Sequence, residues 1–223
     1  MSNIEFTLHP STNHASPSGS LPYLETPASS GPIPASKLRT HIARLPGVQP
    51  APPSPPEAAP HASLIDHPIR RAYLHALYLS RENTPLLTRL YLAPATKSLP
   101  VRSVLLRQLR SAAEDEILAS GGGYTASAID VEDLYGDAEE ALRALDSLLG
   151  GGEWFFGGGE EGGRKRGPTE FDAAVFAYTH VLLDDNLGWR DTRLGDLVRK
   201  CEGLVRHRGA MLLECWPERV RSG

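Results

Sequence analysis

Cysteine is scarce in this chain of 223 residues: Cys201 and Cys215 are the only two, and both fall in one region of helical pattern. No disulfide framework is expected, and a reducing compartment is the default. The motifs that carry strong chemistry are missing as well. There is no GxxxxGK[ST], GxSxG, HExxH or CxxC, so phosphate loops, hydrolase elbows, zinc-protease helices and redox dithiols have no basis here. Eight histidines are scattered, and the pairs His9/His14 and His61/His67 lie in loops without metal-ligand spacing. No metal, cofactor or catalytic residue is expected from them. A basic excess is lacking too, since the net charge is −4 and the pI about 6.1, so nucleic acid is not an expected partner. No apolar run approaches the ~20 residues that a bilayer-spanning helix needs. The first residues have neither the apolar core of a secretion signal nor the Arg-rich character of an organellar presequence.

Proline and glycine, by contrast, are abundant, and they divide the chain. Residues 1–45 have a β-and-turn texture. Ile4 to Leu8 alternates and reads as a strand, and Leu21 to Glu25 as a shorter one with Pro22 at an edge. Ser36 is expected to cap a short helix running to about Arg44. Residues 46–62 follow, with seven prolines among 46–60, and read as a stiff, solvated linker.

From residue 63 the period becomes helical. One helix is expected at about 66–82, with Ile69, Ala72, Tyr73, Ala76, Leu77 and Ser80 on one stripe. A short one should lie near 85–93. The next, at about 99–119, shows a stripe of Val101, Val104, Leu105, Gln108, Leu109 and Ala112, with Pro100 in its first turn. Another spans about 130–149, with Leu134, Ala138, Ala141, Leu142, Leu145 and Leu148 in register. Two more pieces, about 191–200 and 203–215, close the chain. Glycines dominate 150–163, and the charged segment 157–167 reads as a mobile surface insertion.

The stretch PTEFDAAVFAYTHVLLD, residues 168–184, has polar ends and an apolar body. Thr169 and Asp172 are three apart, which fits a capping box at the start of a helix over 169–184. Phe171, Ala174, Val175, Tyr178 and Leu182 form one face, and Ala173, Phe176, Ala177 and Leu183 cover much of the rest. Such a helix belongs at the centre of a bundle. His180 has no second ligand at i±3 or i±4, so a hydrogen-bonded core histidine is expected. Trp154, Phe155 and Phe156 read either as core plugs pinning a loop or as partner-contact aromatics.

Two of these stretches resemble a known family. NHASPSGSLPYLE (13–25) resembles the N-terminal domain of metaxins and their fungal counterparts. GGPTEFDAAVFAYTHVLLD, interrupted here by Arg164-Lys165-Arg166 between Gly163 and Gly167, resembles the C-terminal signature of the same family. LVRKCEGLVRHRGAML (197–212) fits its final helix. The resemblance implies a glutathione-transferase-like (GST) fold, with a thioredoxin-like α/β half followed by an all-α half. The expected fold class is therefore mainly α. Residues 63–223 would form the GST C-terminal-like helical domain, and residues 1–45 a truncated thioredoxin-like segment. The first strand and helix of that segment are missing, as in a short gene model, an isoform or a fragment. Edge groups left open would leave 1–45 poorly ordered when alone.

The function implied is that of a peripheral, non-enzymatic subunit of the mitochondrial sorting and assembly machinery (the SAM complex). It would lie on the cytosolic face of the outer membrane and assist β-barrel insertion. Its implied partners are an Omp85-type barrel subunit, a second metaxin-like subunit and β-barrel precursor proteins. The activating Tyr, Ser or Cys of a glutathione enzyme would sit in the missing strand–helix unit. Where such enzymes carry an acidic-Ser pair, this chain has Ala35-Ser36. Pro22 stands in the place of the superfamily's cis-proline. The alternatives are a glutathione-transferase-type enzyme and a GST-like cytosolic adaptor.

Overall fold

The computed structural model describes residues 6, 7, 9, 16–18, 21–27, 29, 31–46, 48, 54–120, 129–156, 160, 161, 164, 165 and 167–217. The chain divides into two units, residues 1–52 and 53–223.

In the first unit, β1 (Tyr23–Leu24) pairs antiparallel with β2 (Ile33–Pro34), Tyr23 opposite Pro34 and Leu24 opposite Ile33. Ser29 holds the connecting turn, donating its hydroxyl to the carbonyls of Thr26 and Gly31 at 3.3 and 2.8 Å. The Leu21–Pro22 peptide bond is cis. Helix α1 (Ala35–Ile42) follows and packs on both strands. Ser36 does not cap it. The helix begins two residues earlier, directly from the extended Pro34, and has no side-chain cap hydrogen bond. Most of the strand expected at residues 4–8 lies outside the described residues; Phe6 and Thr7 carry no regular structure.

The second unit is helical. It starts inside the expected linker: α2 (Ala58–Leu64) follows directly on the Pro55-Pro56 turn, and Ala58 is buried. Proline at a helix entry loses nothing there, because its missing N–H is among those left unpaired anyway. The helix continues through a wide π turn (Ile65–Ile69), α3 (Arg70–Leu74) and a second π turn (His75–Leu79). Pro68 lies inside the first π turn. It has no N–H for the carbonyl four residues back, and its ring crowds that carbonyl, so the helix widens locally. α4 (Thr84–Leu87) runs into a π turn (Thr88–Leu92) and the short α5 (Ala93–Ala95).

Helix α6 (Leu99–Ala119) occupies the expected span but buries a stripe that overlaps the expected one only in part. Its inward side is Leu106, Leu109, Ala113 and Ile117, whereas Val101, Val104, Gln108 and Ala112 are exposed. Helix α7 (Val131–Leu149) starts at Asp130, whose Oδ1 accepts the N–H groups of Glu132 and Asp133 at 3.0 and 3.2 Å. Within the segment read as a mobile insertion, Glu160–Glu161 (β3) and Arg164–Lys165 (β4) pair as a short antiparallel ladder.

Helix α8 (Glu170–Leu182) is the apolar one, yet it is not enclosed on every side: Ala173 and Ala177 face solvent. Asp184 caps a 3₁₀ turn (Asp185–Leu187), and α9 (Arg193–Arg199) and α10 (Glu202–Cys215) complete the unit.

The main core gathers Ile65, Ile69 and Ala72 from the first helix with Leu142 and Leu145 of α7, Phe171 and Val175 of α8, Val198 of α9 and Leu204 of α10. A smaller cluster of Leu77, Leu86 and Leu87 joins the first helix to α4 and α6.

Candidate functional site

The most concentrated polar chemistry in the helical unit lies at its centre, at the start of α8. Thr169 is the N-cap and Asp172 the third helical residue, and together they form a capping box. Asp172 does far more than a surface cap. It is fully buried. Its Oδ2 accepts the Thr169 backbone N–H and the Thr169 hydroxyl, each at 2.8 Å. Its Oδ1 accepts the Phe155 backbone N–H at 2.8 Å and meets His207 Nε2 at 3.0 Å.

Burial pushes the Asp172 carboxyl upward, but the donors from His207, Thr169 and Phe155 outweigh it and hold the group below the usual carboxylate range. An ionised carboxylate accepts only, so the hydrogen-bond network places the His207 proton on Nε2. The other ring nitrogen, Nδ1, is buried without a partner among the described residues.

The aromatic triplet closes over this centre. Phe155 is fully buried, with its ring edge-on to His207 at 5.2 Å and to Phe171 at 5.0 Å. Trp154 meets His207 at 6.0 Å, and Phe156 meets Phe171 at 5.3 Å and His61 at 5.9 Å. Phe155, read as a possible partner contact, is therefore inside the unit; Trp154 and Phe156 remain half-buried. Phe156 adopts φ 57°, in the left-handed region. A bulky residue accepts that backbone geometry at a cost of ~1 kcal/mol or more. The turn lets Phe155 point inward and brings its N–H onto Asp172.

His180 is half-buried, stacked on Phe176 at 5.0 Å, and accepts from Arg208 Nε at 3.3 Å. The sequence brought Thr169 and Asp172 together; it did not reveal His207 or the Phe155 N–H.

A second buried polar group was also missed. Asn83 is fully buried. Its amide donates to the carbonyls of Ala76 at 2.9 Å and Asp191 at 3.3 Å. Its oxygen accepts the N–H groups of Arg190 and Asp191 at 2.9 and 3.0 Å. Next to that loop, Arg193 grips Glu132 with both nitrogens, at 2.9 and 2.7 Å, and its guanidinium lies 4.3 Å from the centre of the Tyr135 ring. Burial lowers the pKa of the neighbouring His75, which lies 3.3 Å from the Tyr135 hydroxyl. No group of three His, Cys, Asp or Glu side chains among the described residues is arranged to hold a metal ion.

The chemistry of the Asp172 centre is one of structural fixation. Both partners of the acid–imidazole pair are closed to solvent, at 0% and 1% exposure. Residues 138–211, which run from α7 to α10 and contain the whole centre, match the family model for the glutathione S-transferase C-terminal domain. The class defined by the fold and this match is a mainly helical protein with a GST C-terminal-type domain, preceded by a short strand–strand–helix piece compatible with a truncated thioredoxin-like segment. The chain is also similar to metaxin-3 of Xenopus laevis, 28% identical over 130 residues, covering 57% of this chain and 39% of that protein.

Proposed function

We propose that this chain is a non-enzymatic, metaxin-like subunit of the mitochondrial sorting and assembly machinery. It works by protein–protein binding, peripherally on the cytosolic face of the outer membrane. There it assists β-barrel precursors together with an Omp85-type barrel and a second metaxin-like subunit. The observation that carries this reading is the similarity to metaxin-3 over 130 residues, joined to the GST C-terminal match over 138–211. The sealed Asp172–His207 pair favours a scaffold over an enzyme, because the Asp172 carboxylate is committed to bonds that fix three segments of the unit. No helix among the described residues is long and apolar enough to cross a membrane, which accords with a peripheral attachment.

Affinity purification of the tagged chain from mitochondria in mild detergent tests the proposal. Co-purification of an Omp85-type barrel and a second metaxin-like protein is the expected result. Recovery of neither would overturn it. A conjugation assay with excess glutathione addresses the enzyme alternative: turnover above the blank would reinstate it.

A further inference from the structure

Residues 83–113 contain no aspartate or glutamate, in a chain whose net charge is −4. They do contain Arg89, Lys97, Arg102, Arg107 and Arg110. Several other cations of the unit are paired with acids. Arg70 pairs with Glu116, Arg71 with Asp137, Arg193 with Glu132, and Arg199 with Asp185 and Asp196. None of the ion pairs among the described residues uses the five cations of 83–113. Three of them bind neutral acceptors instead. Arg89 donates to the Leu187 carbonyl, Arg102 to the Thr96 carbonyl, and Arg110 to the Tyr78 carbonyl and the Thr84 hydroxyl.

The same stretch exposes Leu90, Tyr91, Leu99, Val101 and Val104, five of the nine large hydrophobic side chains exposed among the described residues. Leu99 is 71% and Val104 57% exposed. Leu90 and Tyr91 lie on the π turn that packs against α6, and the other three on the first turns of α6 itself. Exposed apolar side chains concentrated in one stretch point to a contact site, and five cations are interspersed with them in the sequence.

Charge decides among the occupants. A second copy bound through the same patch would oppose two sets of unpaired cations. Residues 1–52 carry Lys37, Arg39 and Arg44 against Glu5 and Glu25, so the chain's own first unit offers no net negative partner. An acidic amphipathic helix would need a groove. Among the described residues, an apolar groove of about 300 Å³ lies elsewhere, lined by Pro55, Ala58, Ile65 and Phe171, and a polar one of about 550 Å³ lies around Asp191, Arg193 and Lys200. What remains is a surface that is negative and receives apolar side chains without a groove.

We propose that the 88–95 turns and the first half of α6 form a docking face for an anionic lipid bilayer, with Leu90, Leu99, Val101 and Val104 entering the interface and Arg89, Lys97, Arg102 and Arg107 meeting the headgroups. The acidic run Glu114-Asp115-Glu116 starts ~15 Å further along α6 from Val104. Repulsion at that end tilts the helix so that its N-terminal end faces the lipid. The inference stands on charge and exposure and does not rest on the metaxin-like reading.

The test is flotation of the full chain with phosphatidylcholine vesicles, with and without phosphatidylserine. Binding is expected only with phosphatidylserine and falls as salt rises. The double variant Lys97→Glu/Arg107→Glu alters exposed side chains with no ion pair among the described residues, and is expected to weaken binding at least ~10-fold. Leu99→Ser/Val104→Ser is expected to weaken it by a similar ~10-fold. Thermal melts of both variants establish that the fold is kept. Failure of the wild-type chain to bind phosphatidylserine vesicles overturns the proposal. So does binding that either folded double variant leaves unchanged. If the chain ignores vesicles but captures a synthetic acidic amphipathic peptide, and the same variants lose it, the face docks protein and the lipid assignment is wrong.

Discussion

His207 Nε2 lies 3.0 Å from Asp172 Oδ1, with both side chains closed to solvent, although 35 residues separate them. The contact turns a local helix cap into a junction of α8, α10 and the aromatic turn after α7. Asp172→Ala removes the acceptor from the Phe155 N–H, the Thr169 N–H and the imidazole together. Losing one member of a buried charged network costs ~3–5 kcal/mol, well above the ~1 kcal/mol of an ordinary cap. Urea unfolding of Asp172→Ala, His207→Ala and the double variant will show it. The two single losses should sum to clearly more than the double loss, because they remove the same contact.

Acid should loosen the same junction. The carboxyl of Asp172 is held below its ordinary value in the folded state, so the folded protein binds its proton less readily than the unfolded chain. The stability tied to this group is therefore fully present above the unfolded carboxylate pKa of ~3.9, and is lost as pH falls through the lower folded value. Denaturation midpoints recorded against pH should fall more steeply below pH ~4 for the wild type than for Asp172→Asn.

Two glycines are predicted to differ in what they tolerate. A Cβ on Gly195 would stand 2.9 Å from the Leu182 carbonyl oxygen, and that backbone ends α8. A Cβ on Gly203 would stand 2.5 Å from Asp146 Oδ1, the side-chain atom that accepts the Leu204 N–H at 3.0 Å. A carboxylate can swing away at the loss of one helix-end hydrogen bond, ~1 kcal/mol; a packed backbone must shift. Gly195→Ala is expected to cost ~1–3 kcal/mol, more than Gly203→Ala. Thermal melts of the two variants, measured side by side, check the order.

Asn83 is expected to be as sensitive as many large core residues. Asn83→Ala strands the N–H groups of Arg190 and Asp191 and the Ala76 carbonyl, for ~2–4 kcal/mol. Asn83→Asp is the sharper probe. It keeps an acceptor for the two N–H groups but sets a carboxylate oxygen against the Ala76 carbonyl, 2.9 Å away. It should therefore be no more stable than the alanine variant. An Asp variant with wild-type stability would show that the donor half of this network contributes nothing.

What could be read in the sequence follows from the range of each interaction. The Thr169/Asp172 cap spans three residues and needs no knowledge of the rest of the chain. The stripes of the first helix and of α7 were legible because only one side of each is apolar enough to bury. Helix α6 has two apolar stripes. One is Val101, Val104, Leu105, Gln108, Leu109 and Ala112; the other, which shares Leu109, is Leu106, Leu109, Ala113 and Ile117. Only the neighbours, Leu77 and Leu87 in the smaller core, decide which turns inward. His207 and Asn83 were illegible for the same reason. Their partners lie 35 and more than 100 residues away, or are backbone groups without side-chain identity. The start of α2 was misplaced because Pro55 and Pro56 read as linker, although proline also opens helices.

The position of His207 has a consequence for the order of synthesis. As the chain leaves the ribosome, α7, the aromatic turn and α8 emerge before α10. During that interval Asp172 has Thr169 and the Phe155 N–H but no imidazole, and the rings of Trp154 and Phe155 lack the side chain they close upon. The nascent unit exposes an incomplete core until α10 arrives. A chain stalled before residue 207 is thus a form that chaperones and proteases would recognise, with the aromatic turn as the exposed flag.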